Sequence, residues 1–172
     1  LITGIKLANL RIYETAQNDA RKRGMGTTLV TLFAVEDGVY VAHVGDSRVY
    51  RVRDGKIEQL TEDHSLLNDY IKMKRLTPEE IASFPHKNVI VRALGMKDVV
   101  KVDTRFETPK EGDIYLLCSD GLTKMLEDAL IHDALDSFGA TPEYAVDELV
   151  ALANARGGRD NVTVVVAYVS AA

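Results

Sequence analysis

The first part of the chain carries apolar side chains at helical spacing. Five of them between residues 2 and 22 share one stripe: Ile2, Ile5, Ala8, Ile12 and Ala16. This spacing predicts one amphipathic helix over residues 2–22, ending at Gly24, where a residue that tolerates positive φ is favoured. Because the helical pattern begins at Leu1 without an initiator methionine, we expect the chain to be a fragment whose natural start is missing.

Short segments rich in β-branched residues come next. Four of them follow one another: 28–35, 39–44, 48–53 and 56–60. Asp37-Gly38 and Asp54-Gly55 separate two pairs of these segments, and Asp-Gly is the dipeptide most typical of a hairpin turn. The pattern therefore predicts an antiparallel meander. Segment 39–44 is almost wholly apolar, which indicates a strand covered on both faces.

The rest of the chain mixes helical and strand patterns. Residues 62–83 are charged and helical, with Thr77, Pro78 and Glu80 as N-cap, first-turn proline and capping-box acid. Strands are predicted at 89–93, 99–106, 113–118 and 162–169, and helices at 122–136 and after Thr141-Pro142. The segregation of helices and antiparallel strands favours an α+β fold, and the absence of repeats favours a single domain over residues 1–172.

Composition excludes several classes of protein. With 46% hydrophobic and 27% charged residues, the 172-residue chain is typical of a folded globular domain and not of a disordered one. A net charge of −5 gives no general attraction to nucleic acid or anionic lipid. No apolar run reaches the roughly 18 residues that span a bilayer. The single cysteine, Cys118, cannot form an internal disulfide, so we expect a reducing compartment, the cytoplasm.

Three aspartates stand at the ends of apolar strands: Asp46 in GDSR, Asp120 in SDG and Asp160 in GRDN. Carboxylates aimed from such ends into a shared cleft suit hard cations such as Mg²⁺ or Mn²⁺. Each aspartate also has a local explanation, because Asp46 could shape a turn, Asp120 could cap a helix and Asp160 could form an Asx turn. Their long spacing has no motif value, so the residues alone leave both interpretations open.

Other reactive side chains receive no role. Cys118 ends an apolar strand without an assignable base, which favours a buried thiol over a nucleophile. The four histidines show no paired metal-ligand spacing, which disfavours zinc: His43, His64, His86 and His132.

Five sequence blocks closely resemble those of the metal-dependent protein phosphatases, the type 2C serine/threonine phosphatases, here of bacterial type. They are GMGTTLV at 24–30, AHVGDSRVYRVRDGKIEQLTEDHSL at 42–66, NVIVRALG at 88–95, GDIYLLCSDGLT at 112–123 and GGRDNVTVVV at 157–166. The blocks occur in the family's order and span nearly the whole chain. The resemblance is therefore specific.

The resemblance implies a four-layer α-β-β-α sandwich of two antiparallel sheets with a binuclear centre of Mn²⁺ or Mg²⁺. It assigns Asp120 and Asp160 as ligands of the second catalytic metal, and Asp46 together with Asp120 as ligands of a possible third. No catalytic residue beyond metal ligands is assignable. The segment at about 63–88 resembles the family's flap, a variable helical piece beside the cleft.

The family's N-terminal features are absent from this chain. They are a phosphate-binding arginine, an acid in an E-D pair and a D-G-x-G-G segment whose aspartate bridges both metals. We therefore expect sheets that lack N-terminal strands and a chain that alone is inactive or weakly active. We also expect it to pair with a missing N-terminal fragment or a second copy of itself.

The activity that the resemblance implies is metal-dependent removal of phosphate from phosphoserine and phosphothreonine in proteins, with a serine/threonine kinase among the expected substrates. The alternative is a noncatalytic phosphatase-like module that serves binding or regulation. Retention of Asp46, Asp120 and Asp160 favours the enzyme, because a purely structural relative would be free to lose these carboxylates.

Overall fold

A computed structural model of the chain describes residues 1–74, 76–85, 89–138 and 141–171. The helices are α1 (Ile2–Asn18), α2 (Leu66–Lys74), α3 (Pro78–Ala82), α4 (Asp120–Thr123), α5 (Asp128–Phe138) and α6 (Pro142–Ala155). The strands are β1 (Leu29–Val35), β2 (Gly38–Val44), β3 (Arg48–Arg53), β4 (Lys56–Gln59), β5 (Asp103–Glu107), β6 (Ile114–Cys118) and β7 (Val164–Tyr168). This mixture of helices and strands confirms the α+β class.

The strands form two antiparallel sheets, ordered β1-β2-β5 and β4-β3-β6-β7. The predicted single meander is therefore wrong, because β2 and β3 belong to different sheets. Gly45 begins the connection between them with a φ of 114°, a conformation that L side chains rarely adopt. An added Cβ at Gly45 would also lie 2.4 Å from Thr28 Cγ2. This turn redirects the chain, whereas the two Asp-Gly turns close hairpins.

The first predicted helix ends earlier than expected. Asp19 adopts an extended backbone, with φ −124° and ψ 109°, and its carboxylate accepts the Arg21 amide at 3.0 Å. This local hydrogen bond competes with the helix and starts a separate 3₁₀ turn over Ala20–Lys22. The side chain of Asp19 thus ends α1 before Gly24 is reached.

Two further segments differ from the sequence expectation. Residues 89–93 form no strand in the described chain, where only isolated bridges join Ser65 to Ile90 and Thr27 to Leu94. The helix predicted at 122–136 is two helices, α4 and α5. By contrast, the capping box at α3 is confirmed, because the Thr77 hydroxyl accepts the Glu80 amide and Glu80 Oε2 accepts the Thr77 amide at 2.8 Å.

Contacts group the chain into two compact units. The first comprises Leu1–Leu29, Ala42–Asp46 and Asp63–Asp103. Its core contains Ile5, Ala42, Val44, Leu94 and Val100. The buried Asn9 of α1 fastens a loop in this unit, because its amide nitrogen donates to the carbonyls of Lys97 and Asp98 at 3.0 Å and its oxygen accepts the Gly95 amide at 2.8 Å.

The second unit comprises Val30–Val41, Ser47–Glu62 and Thr104–Ala172. Its largest core joins strands β3 and β6 to helices α5 and α6 through Tyr50, Leu116, Ile131, Leu135 and Leu149, among others. In this unit the register pairs Arg48 with Cys118, and Cys118 with Val164. The residues that follow Cys118 therefore lie at the same end of the sheet as the residues that precede β7.

The predicted flap at 63–88 contains α2 and α3, while its residues 75 and 86–88 lie outside the described part of the chain. That residues 1–172 form a single domain stays a prediction. None of the helices in the described ranges is long and apolar enough to cross a bilayer.

Candidate functional site

Asp120 and Asp160 lie on two neighbouring segments of the second unit, the turn from β6 into α4 and the loop before β7, which hydrogen bonds join together. Asp120 begins α4 directly after β6, and Asp160 precedes β7. Between these loops the Ser119 amide donates to the Thr163 carbonyl at 3.0 Å, and the Thr163 amide donates to Ser119 Oγ at 3.0 Å. The Ser119 hydroxyl in turn donates to the Asn161 carbonyl at 3.2 Å. The two aspartates are therefore held on neighbouring stretches of backbone.

Gly121 permits this close approach of the loops. A Cβ at Gly121 would lie 2.2 Å from the Asn161 carbonyl oxygen and 2.9 Å from its carbonyl carbon. Both are backbone atoms that cannot rotate away, so any side chain here would push the loops apart. The close packing of the SDG block against the RDN block thus requires a glycine at position 121.

The carboxylates of Asp120 and Asp160 share one cation, the ammonium group of Lys124. Lys124 Nζ contacts Asp120 Oδ2 and lies 3.8 Å from Asp160 Oδ2. The side chains of the two aspartates are 29% and 51% exposed, respectively, so both reach water. Asp160 also accepts the Asn161 amide on its other oxygen, Oδ1, at 2.8 Å. This bond joins adjacent residues, so it is not the Asx turn considered from the sequence, in which the carboxylate accepts the amide two residues on. The other oxygen, Oδ2, faces the Lys124 ammonium.

The donor set of this pair fits a hard divalent cation. Carboxylate oxygens that remain accessible to water are the ligands that Mg²⁺ and Mn²⁺ prefer, and partial hydration of the ion suits an open position. The loop that carries Asp160 also lines an open cleft of about 500 Å³, together with Asn154, Gly158 and Arg159. Neither Asp120 nor Lys124 lines this cleft, so its volume shows only that water reaches the Asp160 side of the pair.

Asp46 lies in the first unit, in the turn after β2. Its approach to Asp120, which belongs to the second unit, stays a prediction. Cys118 is buried at the end of β6, as expected of a packing thiol. Among the histidines, His86 lies outside the described residues, and His132 Nδ1 lies 3.5 Å from Asp133 Oδ1.

A second cluster of possible metal ligands, which the sequence did not suggest, lies in the first unit. One potential ligand atom from each of His43, His64 and Asp103 lies within 4.8 Å of the others. The two histidine rings stack with their centroids 4.6 Å apart. His64 and Asp103 are 39 residues apart, and this separation offers no motif to find them by.

The backbone fixes the tautomer of His64. The Gly45 amide donates to His64 Nδ1 at 3.0 Å, so in the neutral ring the proton resides on Nε2. Nε2 then donates to Asp103 Oδ2 at 3.0 Å. Arg92 Nη1 lies 2.8 Å from His64 Nε2 and 3.1 Å from Asp103 Oδ1, and it pairs with the carboxylate. The position that a cation would take beside Asp103 is therefore filled by a guanidinium.

The pKa values of this cluster follow from its burial and its fixed partners. Burial lowers the pKa of His64, and the charges of Arg92 and His43 lower it further. The hydrogen bond to Asp103 has the opposite effect, which is smaller than that of burial. Burial alone would raise the pKa of Asp103, but hydrogen bonds from His64 and Arg92 lower it to about 2. At neutral pH the cluster thus contains a neutral histidine and an ionised aspartate.

Comparison with known proteins matches the chain to one family, and two similar bacterial proteins are named as phosphatases as well. The family model of protein phosphatase 2C matches residues 2–151. The chain is 40% identical over 160 residues to protein phosphatase PhpP of Streptococcus pneumoniae, which covers 93% of this chain and 64% of that protein. It is 39% identical over 160 residues to the serine/threonine phosphatase stp of Listeria monocytogenes, with 93% and 63% covered. The chain thus spans just under two thirds of these relatives.

Solved structures show the same similarity in three dimensions. The serine/threonine phosphatase of S. agalactiae matches with a TM-score of 0.90 and 42% identity, covering 98% of this chain and 69% of that one. The catalytic domain of the serine/threonine protein phosphatase PstP, determined in complex with two manganese ions, matches with a TM-score of 0.78 and 37% identity. That match covers 95% of this chain and 67% of the other.

Proposed function

Because the chain belongs to the protein phosphatase 2C family, we propose that the protein containing it removes phosphate from phosphoserine and phosphothreonine in other proteins, using divalent metal ions. The observation that carries this proposal is the pair of accessible carboxylates, Asp120 and Asp160, that share one cation on two joined loops. Both residues stand in sequence blocks that resemble those of the family. Relatives that match along most of this chain are named as serine/threonine phosphatases.

The ions that suit these ligands are Mn²⁺ or Mg²⁺, two for catalysis and a possible third. Asp120 and Asp160 would hold the second catalytic ion, and Asp46 with Asp120 the third. When bound, such ions lower the pKa of a water molecule and neutralise charge on the transferring phosphoryl oxygens. The chain's own contribution is to keep the carboxylates accessible and at a fixed separation, which the hydrogen bonds of Ser119 support.

The proposed substrates are phosphorylated proteins, with a serine/threonine kinase as one candidate, and the proposed place of action is the cytoplasm. The single, buried cysteine is compatible with a reducing compartment. No observation in the described residues favours a noncatalytic binding module over the enzyme.

The test uses the full-length protein that contains this sequence. Hydrolysis of p-nitrophenyl phosphate and of a phosphothreonine peptide is measured with EDTA, Mg²⁺ or Mn²⁺. We expect activity only with metal, and a large loss in Asp160→Asn. Asp133→Asn, the same chemical change at a 76% exposed position, is the matched control and should behave like the wild type. Metal-independent turnover, or an Asp160→Asn variant as active as the control, would overturn the proposal.

A further inference from the structure

Lys124 is placed by the backbone to meet the two aspartates. It is the C-cap residue directly after α4, and its amide donates to the Asp120 carbonyl at 2.8 Å. Residues four apart on a helix share a face, so the Lys124 side chain returns toward the Asp120 carboxylate. Its ammonium then also comes within 3.8 Å of Asp160. The same short helix thus provides one proposed metal ligand and a positive charge directed at it.

An ammonium ion and a divalent cation cannot both occupy this position. Each is attracted by the same carboxylate oxygens, and the two cations repel each other at a separation of a few ångströms. The Lys124 side chain is 33% exposed and ends a flexible four-carbon stem, so it can swing into water when a metal binds. Without a metal, the single ammonium therefore offsets part of the negative charge of the two carboxylates, and a bound metal ion would take its place.

We propose that Lys124 competes with the divalent ion for Asp120 and Asp160, and so determines how tightly this site binds metal. This inference rests on the proposed function, because it takes the two aspartates as metal ligands. Lys124 contributes opposite effects in the two states. It stabilises the metal-free site by separating two negative charges, and it weakens metal binding because its ammonium must be displaced.

The experiment compares Lys124→Gln with the wild type in the full-length protein. Free Mn²⁺ is measured by electron paramagnetic resonance during a titration, and thermal unfolding is recorded with EDTA and with Mn²⁺. We expect the dissociation constant for Mn²⁺ to fall about 3- to 5-fold, at the upper end of the modest strength of a partly exposed ion pair. We also expect a lower melting temperature in EDTA and a larger increase on adding Mn²⁺.

Two control variants separate the position of the charge from the net charge. Lys124→Arg keeps a cation beside the carboxylates and should bind Mn²⁺ within about twofold of the wild type. Lys56→Gln removes one positive charge from β4 and should leave the dissociation constant unchanged. A Lys56→Gln variant that binds Mn²⁺ as tightly as Lys124→Gln would attribute the effect to net charge and refute the inference.

The remaining outcomes distinguish this inference from the proposed function. If Asp160→Asn weakens Mn²⁺ binding while Lys124→Gln binds Mn²⁺ as the wild type does or more weakly, the ligand assignment survives and the competition by Lys124 is refuted. If Asp160→Asn binds as many Mn²⁺ ions as the wild type with the same affinity, the ligand assignment fails, and the inference fails with it.

Discussion

Among the described residues, two groups of potential metal ligands, one in each compact unit, balance their charges in different ways. In the second unit, Asp120 and Asp160 are partly exposed and share the ammonium of a flexible lysine. In the first unit, Asp103 and the buried His64 are contacted by Arg92, and the histidine also accepts a backbone amide. The first kind of partner is replaceable and the second is built into the fold.

The difference shows that proximity of ligand atoms does not by itself identify a metal site. The atoms of His43, His64 and Asp103 lie within 4.8 Å of one another, yet Nδ1 of His64 is engaged by Gly45 and Arg92 fills the place beside Asp103. A metal there would have to displace a planar guanidinium from a partly buried carboxylate. It would also either break the bond between His64 and Gly45 or leave the His64 ring poorly oriented. At Asp120 and Asp160 only a lysine side chain must move.

The largest effect is expected from Asp120→Asn in the full-length protein. The change keeps the shape of the side chain and removes a ligand charge, so turnover at saturating Mn²⁺ should fall by more than about 100-fold. In EDTA the melting temperature should change little, because Asp120 is partly exposed and its partner Lys124 can turn to water. Initial rates and thermal unfolding monitored by circular dichroism provide the check. Wild-type turnover would contradict the assignment of Asp120.

Gly121→Ala should affect stability as well as metal binding. The added Cβ would lie 2.2 Å from the Asn161 carbonyl oxygen, so the SDG and RDN loops must separate. We expect a loss of about 1–3 kcal/mol in the free energy of unfolding, as for other overpacked sites, and weaker binding of Mn²⁺. Urea unfolding and a Mn²⁺ titration measure the two effects.

Gly4→Ala is the matched control for this substitution. Gly4 lies in α1 with no neighbouring atom within 4 Å of its added Cβ, so alanine should slightly stabilise the protein. If Gly121→Ala were as stable as Gly4→Ala, the close approach of the two loops would not exist in solution.

The sequence predicted those features that depend on local patterns. The Asp-Gly hairpins, the capping box at Thr77 and the helix after Pro142 each follow from a few adjacent residues, and all are present. The change of sheet at Gly45 was not predictable, because it depends on which distant strands pair with β2 and β3. Local periodicity contains no information on that choice.

The same distinction applies to the candidate site. Asp120 and Asp160 were found because they stand in sequence blocks that resemble a family, and their spacing alone had left the local explanations open. Lys124 was not singled out, since a lysine four residues after an aspartate is ordinary on a helix. The contact between His64 and Asp103 joins segments that no motif connects.

At the buried cluster, two substitutions of His64 separate its two hydrogen bonds. An asparagine places an oxygen near the position of Nδ1 and can still accept the Gly45 amide, whereas a glutamine places its terminal group near Nε2 and leaves that amide without an acceptor. Leaving a buried donor unsatisfied costs about 1–3 kcal/mol. We therefore expect His64→Gln to unfold at lower urea concentration than His64→Asn.

Equal midpoints for these two variants would show that the bond to Gly45 contributes nothing to stability. A less stable His64→Asn would show that the contact with Asp103 is the more important one. In either case the interpretation of His64 as a fixed part of the fold around Gly45 would need revision.

The smallest expected effect is the pH dependence that His64 adds to stability. Its pKa is lowered in the folded protein, chiefly by burial, so between that value and the ordinary value near 6.5 the unfolded chain binds a proton that the folded protein does not. The free energy of unfolding then rises with pH in this interval, by at most about 1.4 kcal/mol per pH unit, and stability is lost as pH falls below about 6.5. Asp103 does not interfere, because its pKa of about 2 keeps it ionised throughout.

The measurement is the difference in unfolding free energy between wild type and His64→Asn from pH 7.5 to 5, which cancels the titration of all other groups. A wild type that loses stability relative to the variant toward pH 5 supports the lowered pKa. A wild type that gains stability toward pH 5 would mean that the ion pair with Asp103 outweighs burial, so that the pKa of His64 is raised in the folded protein instead of lowered.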